Sequence, residues 1–230
     1  MLIIQERAFS EEAPCPYLPD RMMRNEYFFA TDINGEELNG LLAEGWRKFG
    51  IYYFRPACRA CRACTPLRVL TKEFRPSRSQ RRVMDKNRDV RVRFGDLRHS
   101  GEIFEMYREH SLGRFGMEVS AEDFLFNFYQ RSCPSLQSEY YLEGRLMAVG
   151  YLDWTHEAMS TVYFFYRMEF ASRSPGVFSI IRELEMAGTA GLLYYYLGYY
   201  VPGSSRMEYK ARFSPCEVYD WDKKKWGPKE

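Results

Sequence analysis

Four of the six cysteines stand where a soft metal could be held. Cys58-Arg59-Ala60-Cys61-Arg62-Ala63-Cys64 sets three thiols at two equal three-residue spacings. A compact loop of this kind can aim several sulfurs at one centre, as zinc and iron–sulfur sites require. Cys15, in a turn stiffened by Pro14 and Pro16, can supply a fourth thiolate, and the arginines between the cysteines favour the thiolate form. Cys15, Cys58, Cys61 and Cys64 are therefore the candidate metal ligands, with zinc and iron–sulfur both open. Reactive thiols without metal are the alternative. Disulfides are disfavoured, because Met1–Glu6 has neither the basic start nor the apolar run of a secretory signal. Cys133 and Cys216 read as ordinary packed residues.

The second chemical feature is charge. The chain of 230 residues has a net charge of +2, yet residues 47–98 hold 16 Lys/Arg against 4 Asp/Glu. The remaining chain is correspondingly acidic. A basic segment inside an acidic chain is the footprint expected of a polyanion contact, since clustered cations attract phosphates over about a Debye length. Hydrophobic residues at 46% and charged residues at 28% exclude a disordered chain and a disulfide miniprotein. No apolar stretch approaches the roughly 18 residues of a membrane span. Aromatic residues are dense at 17% and call for an explanation.

The elements that must position these residues can be read from pattern. Ala13–Asp20 carries three prolines and cannot be helical. A short helix or loop at 34–45 precedes a strand at 51–54, and 66–71 reads as another strand. Ser77–Asn87 reads as a basic helix and Val90–Phe94 as a half-exposed strand. Helices follow at 101–111 and 120–131, then three strands at 139–142, 146–154 and 159–166. The clearest helix starts at Ser174-Pro175, with Ser174 as its cap, and stops at Gly191. A tyrosine-rich strand at 192–197 closes the pattern. The order predicts an α/β (α+β) domain on a mixed or antiparallel sheet. It divides into a cysteine-containing basic region, 1–95, and a second region, 96–230, packed tightly enough to form one unit.

Taken in order, these residues resemble a known family. The blocks are Cys15-Pro16-Tyr17-Leu18-Pro19-Asp20-Arg21, Gly45-Trp46-Arg47-Lys48-Phe49-Gly50, Phe54–Arg68 with its cysteines, and Phe74–Arg82. Downstream come Tyr195-Tyr196-Leu197-Gly198-Tyr199-Tyr200-Val201-Pro202-Gly203 and Met207-Glu208-Tyr209-Lys210-Ala211-Arg212-Phe213. The string is similar to the aminoacyl-tRNA–protein transferases of the N-degron pathway, and most of all to the branch of bacterial aspartate/glutamate leucyltransferases. The resemblance implies a cytoplasmic enzyme that moves an amino acid from aminoacyl-tRNA to the α-amine of a protein beginning with Asp or Glu. It also implies an N-acetyltransferase-like fold and no organic cofactor. Arg167-Met168-Glu169-Phe170 stands where the family usually has an acidic turn, so Leu-tRNA and Arg-tRNA both remain as donors.

Aminolysis of an activated ester needs positioning and oxyanion stabilisation more than a strong base. Accordingly, His99, His110 and His156 read as surface or structural residues. An acidic acceptor calls for Arg or Lys. Arg78, Arg81 and Arg82 on the basic helix, with Lys210 and Arg212 after the tyrosine strand, are the candidates; some would bind the acceptor and others tRNA phosphate. Tyr199, beside Gly198 at the strand end, is the candidate catalytic tyrosine. Two rival readings are an acyl-CoA N-acyltransferase, drawn from Arg173-Ser174-Pro175-Gly176, and a metal-stabilised RNA-binding module without catalysis. The first leaves the cysteines and the basic segment unexplained; the second leaves the 192–213 match unexplained.

Overall fold

The computed structural model describes residues 1–229. Among the described residues, fourteen strands and five α-helices follow one another along the chain. They are β1 (Leu2–Phe9), β2 (Ala13–Pro14), β3 (Met22–Met23), β4 (Asn25–Thr31), α1 (Gly35–Ala43), β5 (Arg47–Phe49), β6 (Tyr52–Pro56), β7 (Thr65–Leu70), α2 (Arg78–Lys86) and β8 (Val90–Gly95). Then come α3 (Gly101–Phe115), α4 (Ala121–Tyr129), β9 (Ser135–Leu142), β10 (Arg145–Trp154), β11 (Ala158–Tyr166), α5 (Pro175–Thr189), β12 (Tyr194–Tyr200), β13 (Cys216–Asp220) and β14 (Lys225–Pro228). Two 3-10 segments, Met168–Arg173 and Glu208–Arg212, flank α5 and β12. No helix among the described residues is long and apolar enough to cross a membrane.

The strands form a large sheet in the order β14-β13-β7-β12-β11-β10-β9-β8 and a small one in the order β1-β4-β6-β5. Among the described residues only β11 and β12 pair in parallel, and α5 is the crossover between them. This is the mixed α/β architecture the pattern predicts. The division at residue 95 passes through the large sheet: β7 sits between β12 and β13, while β8 forms the far edge on β9. The first region thus contributes an internal strand of the second region's sheet.

Local chemistry explains the helices. Asn34 caps α1 and Ser77 caps α2, each within a reciprocal box closed by Glu37 and Gln80. The expected cap of α5 differs. Ser174 takes a left-handed φ of 54° and its side chain caps nothing, so α5 begins on Pro175, which needs no donor partner. Its inner face, Phe178, Ile180, Ile181, Leu184 and Ala187, is buried against the sheet.

The aromatic excess is core material. On the opposite face, Tyr107 of α3 and Phe124 and Phe128 of α4 pack with Tyr151, Tyr163 and Phe165 of the sheet. Phe128 stacks on Tyr151 at 4.5 Å between ring centroids and 11° between planes. Edge and stacked pairs of this kind contribute about 0.5–1.5 kcal/mol each beyond burial.

Candidate active site

β11 and β12 hydrogen-bond only over Ala158–Ser160 against Tyr194–Tyr196 and then diverge. Both strands are bulged where they part. Between β10 and β11 the register slips so that Val162 has no partner, and between β12 and β7 it slips at Leu197. Bulges bend the strand and re-aim its groups, and they recur beside active sites. The result is a crevice in the middle of the large sheet.

Two cations enter it. Arg47, delivered by β5 of the small sheet, donates to the Ser160 hydroxyl at 2.5 Å and to the Thr161 carbonyl. Lys210, from the 3-10 segment after β12, donates to the Tyr199 carbonyl at 3.0 Å. Each cation thus holds a backbone oxygen released by the splay. They meet over Gly198: a Cβ there would stand 3.4 Å from Lys210 Nζ and 3.8 Å from Arg47 Nε. Gly198 also has a φ of +82°, which disfavours an L side chain.

Neither cation forms an ion pair among the described residues. The carboxylate that Arg47 feels, Asp153, is already paired with Lys48 at 3.0 Å. Burial, followed by repulsion from Arg47, brings the Lys210 ammonium down to about 7, and Cys64 partly opposes this. Two like charges, sunk in protein yet partly accessible and facing only neutral oxygens, form a site short of one anion.

The expected site residues separate. Lys210 lies in the crevice. Arg78, Arg81 and Arg82 lie on the exposed face of α2, and Arg212 is also exposed, its carbonyl accepting from Gln80 of that helix at 3.1 Å. Tyr199 does not present a free hydroxyl as a catalytic tyrosine would. The hydroxyl is buried and donates to the carbonyls of Gly45 at 2.9 Å and Phe54 at 3.3 Å, pinning β12 to the small sheet. His110 is likewise structural: its ring nitrogen Nδ1 meets the Tyr166 carbonyl at 3.0 Å, and burial pulls its pKa down.

The comparison with known proteins is decided by coverage. The family model for the N terminus of arginine-tRNA-protein transferase matches residues 13–82, and that for its C terminus matches residues 99–220. The chain belongs to the arginine-tRNA-protein transferase family. It is an enzyme of the aminoacyltransferase class. An aspartate/glutamate leucyltransferase of Campylobacter jejuni strain RM1221 is 34% identical over 217 residues, 90% of each chain. Its counterpart from Agrobacterium fabrum is 35% identical over 221 residues, covering 89% of this chain and 88% of that one. Among solved structures, FemX aligns at TM-score 0.47 and 12% identity, over 74% of this chain and 61% of that chain.

The transferase's cysteine cluster borders the crevice. Cys64 is pushed up to about 12 by burial and then by Cys15, Cys58 and Cys61, with Lys210 opposing. Cys15, Cys58 and Cys61 therefore lie within electrostatic reach of Cys64. No three His, Cys, Asp or Glu side chains among the described residues stand in a metal-holding arrangement, so the thiols are neighbours without being set as ligands. All six cysteines are free.

Two further charged residues that the structure sinks into the protein are not among the sequence candidates. Arg47 adds a charge to the basic segment and stands in the resemblance block Gly45-Trp46-Arg47-Lys48-Phe49-Gly50, but the sequence does not put it forward as a site residue. Glu183, on the inner face of α5, sits at a helical position between apolar residues, and a carboxylate at such a position is itself a signal.

Proposed function

We propose that this transferase moves leucine from Leu-tRNA to the α-amine of proteins whose first residue is Asp or Glu, marking them for N-degron degradation in the cytoplasm. The observation that carries the reading is the Arg47–Lys210 pair, two sunken cations without a carboxylate of their own. An acidic N-terminal side chain supplies the missing anion, and its α-amine then lies at the mouth of the β11–β12 splay. There the diverged strands offer backbone donors for the ester carbonyl, so that position and polarity together lower the barrier. The amine has an ordinary pKa of about 7.7–8.0, so about a tenth of it is free base at neutral pH and the fraction rises steeply above.

Aminoacyl-tRNA is held, in this reading, by the exposed arginines of α2 and β8. Arg78, Arg82 and Arg91 are exposed and form no ion pair among the described residues, as a phosphate-contacting strip requires. Leucine as donor is supported by the names of the bacterial relatives. Arginine is the second reading, favoured by the departure at Arg167-Met168-Glu169-Phe170. For the cysteines we propose zinc or an iron–sulfur cluster held once the thiols turn from the arrangement described above; bound as thiolates, they would lose the repulsion that, after burial, raises Cys64.

The test is transfer of labelled leucine and, separately, labelled arginine from total charged tRNA to peptides beginning with Asp, Glu, Arg or Ala. Leucine on Asp and Glu peptides alone is the expected result. Arginine on the same peptides would replace the donor but keep the acceptor site. Transfer to Ala peptides at equal rate would remove the role given to Arg47 and Lys210.

A further inference from the structure

Not every aromatic residue of the chain lies in the core. The small sheet turns one face inward: Phe28, Tyr53 and Lys48 stand opposite one another on β4, β6 and β5, and all three are buried. Side chains alternate across a strand, so the residues one position away line the other face. There the register makes two rows, Tyr27–Phe54–Arg47 and Phe29–Tyr52–Phe49. Five of these six residues are aromatic, and all six are half-buried.

The rings form one continuous surface. Tyr52 stacks on Phe54 at 5.4 Å between centroids and 19° between planes, and Phe54 on Phe49 at 5.9 Å and 16°. Tyr27 and Phe29 lie 5.5 Å and 5.3 Å from Tyr52. Phe49 joins a buried cluster, through Phe128 of α4. Tyr27, Phe29, Tyr52 and Phe54 join none among the described residues. A ladder of rings left at the surface, unlike a scattering of single ones, marks a contact surface.

This surface leads into the crevice. Arg47 ends the first row and holds Ser160 and Thr161 of β11. Phe49 ends the second, 6.2 Å from Tyr163 farther along the same strand. The Phe54 carbonyl accepts from the Tyr199 hydroxyl of β12 at 3.3 Å. Both strands of the splay are thus tied to the aromatic face.

Charge distinguishes what can lie on it. The strands of the small sheet carry three cations besides Arg47, and none of them shares this face. Lys48 pairs with Asp153 on the inner side. Arg55 pairs with Glu26 at 2.8 Å and lies over the Trp46 ring at 4.5 Å, and Arg7 lies over the same ring at 5.1 Å. A track for nucleotides needs cations along its length to meet the phosphates. This face has one, at the end where the crevice begins. A polypeptide whose first side chain is an acid and whose next residues are uncharged matches that distribution.

We propose that the aromatic face of the small sheet is the track of the acceptor polypeptide. With the first side chain on Arg47 and Lys210, the residues after it cross Phe54 and Tyr52 toward Tyr27 and Phe29. The inference rests on the acceptor reading above. From β5 to β4 is two strand spacings, about 10 Å, or roughly three residues of extended chain. Residues two to four of the acceptor therefore meet the rings, and apolar side chains there bind better than small polar ones. Charge selects the first residue and apolar contact the next three.

The test compares native enzyme with the double variant Phe29→Thr, Tyr52→Thr on peptides that begin with Asp and carry either Leu or Ser at positions two to four. Threonine suits a half-exposed strand, and melting curves check the fold. The ratio of kcat/KM for the Leu peptide to that for the Ser peptide should be about 10 in the native enzyme and about 1 in the variant. The Asp-to-Asn ratio and the affinity for charged tRNA should stay native. A native ratio near 1, or a native-like ratio in the folded variant, overturns the track. A variant that loses tRNA affinity and slows on all peptides alike gives the face to the unpaired 3′ end of the tRNA, and also overturns it. A second measurement needs no variant: an Asp peptide with a photoreactive benzoylphenylalanine at position three, irradiated on native enzyme, should cross-link to β4 or β6. Cross-links confined to other elements overturn the proposal. Native enzyme that transfers nothing to any Asp peptide removes the acceptor reading and the track with it, whereas transfer indifferent to positions two to four removes the track alone.

Discussion

Replacing Lys210 by Met removes one ammonium while leaving an unbranched side chain to fill the crevice. In the native crevice the group sits at about 7 instead of its ordinary 10.5. At about 1.36 kcal/mol per pKa unit, the surroundings disfavour the ammonium by up to roughly 5 kcal/mol, a ceiling that partial access to water lowers. A carboxylate about 4 Å away returns about 4 kcal/mol at an effective dielectric constant of 20. The acceptor side chain and the Lys210 proton therefore bind as a pair. Below pH 7 the lysine is already protonated and an acidic acceptor binds at full strength. Above it the proton must be acquired on binding, so preference for the acid falls about tenfold per pH unit. The assay is the ratio of kcat/KM for a peptide beginning with Asp to that for one beginning with Asn. In that ratio the titration of the acceptor amine, and of any proton acceptor common to both peptides, cancels. The native ratio should be flat below pH 7 and fall above it. Lys210→Met should cut it about 10- to 100-fold and make it independent of pH, as expected for loss of a charge-assisted hydrogen bond. A native-like ratio in the variant, or a native ratio that does not change from about pH 6 to 9, would refute the reasoning.

Other consequences are less involved. Tyr199→Phe leaves two backbone carbonyls without their donor, so it should lower stability by about 1–3 kcal/mol in denaturant melts while transfer by the folded enzyme stays within about threefold of native. A larger loss of turnover at full folding would return that tyrosine to the chemistry. Changing Arg78, Arg81 and Arg82 together to Ala should weaken tRNA binding and flatten the slope of log K against log salt by about two to three, with the Asp-to-Asn ratio unchanged. An unchanged salt slope would move the tRNA surface off α2. Protein purified without oxygen should carry zinc or iron by elemental analysis, and Cys64→Ser should lower that content. Metal-free native protein would leave the cysteines as reactive thiols.

Much of this arrangement was legible in the sequence because it depends on local rules. Ser77 with Gln80, Pro175 and Gly191 mark helix ends through backbone donors and φ values, and those requirements act within a few residues. The three antiparallel strands β9, β10 and β11 follow one another directly, so their pairing needs no distant information. The topology was less legible. β7 inserts between β12 and β13, more than a hundred residues away in sequence, and no periodicity states which edge a strand will choose.

The active crevice belongs to that second kind, and this explains why its two cations were valued differently beforehand. Lys210 follows directly on the tyrosine strand it caps, so its proximity to β12 could be inferred from the chain alone. Arg47 reaches the same point from another sheet, and its contacts with Ser160 and Thr161 span more than a hundred residues. What a sequence can reveal in such a case is a cost rather than a position. Arg47 lies between Trp46 and Phe49 in a segment with Gly at both ends, where a lone guanidinium must either reach solvent or find oxygen partners. Glu183 poses the same question among Phe178, Ile181 and Leu184. The structure answers both with backbone and hydroxyl oxygens rather than opposite charges. Arg47, with no carboxylate partner of its own, is the one of the two whose charge a substrate in the crevice can reach.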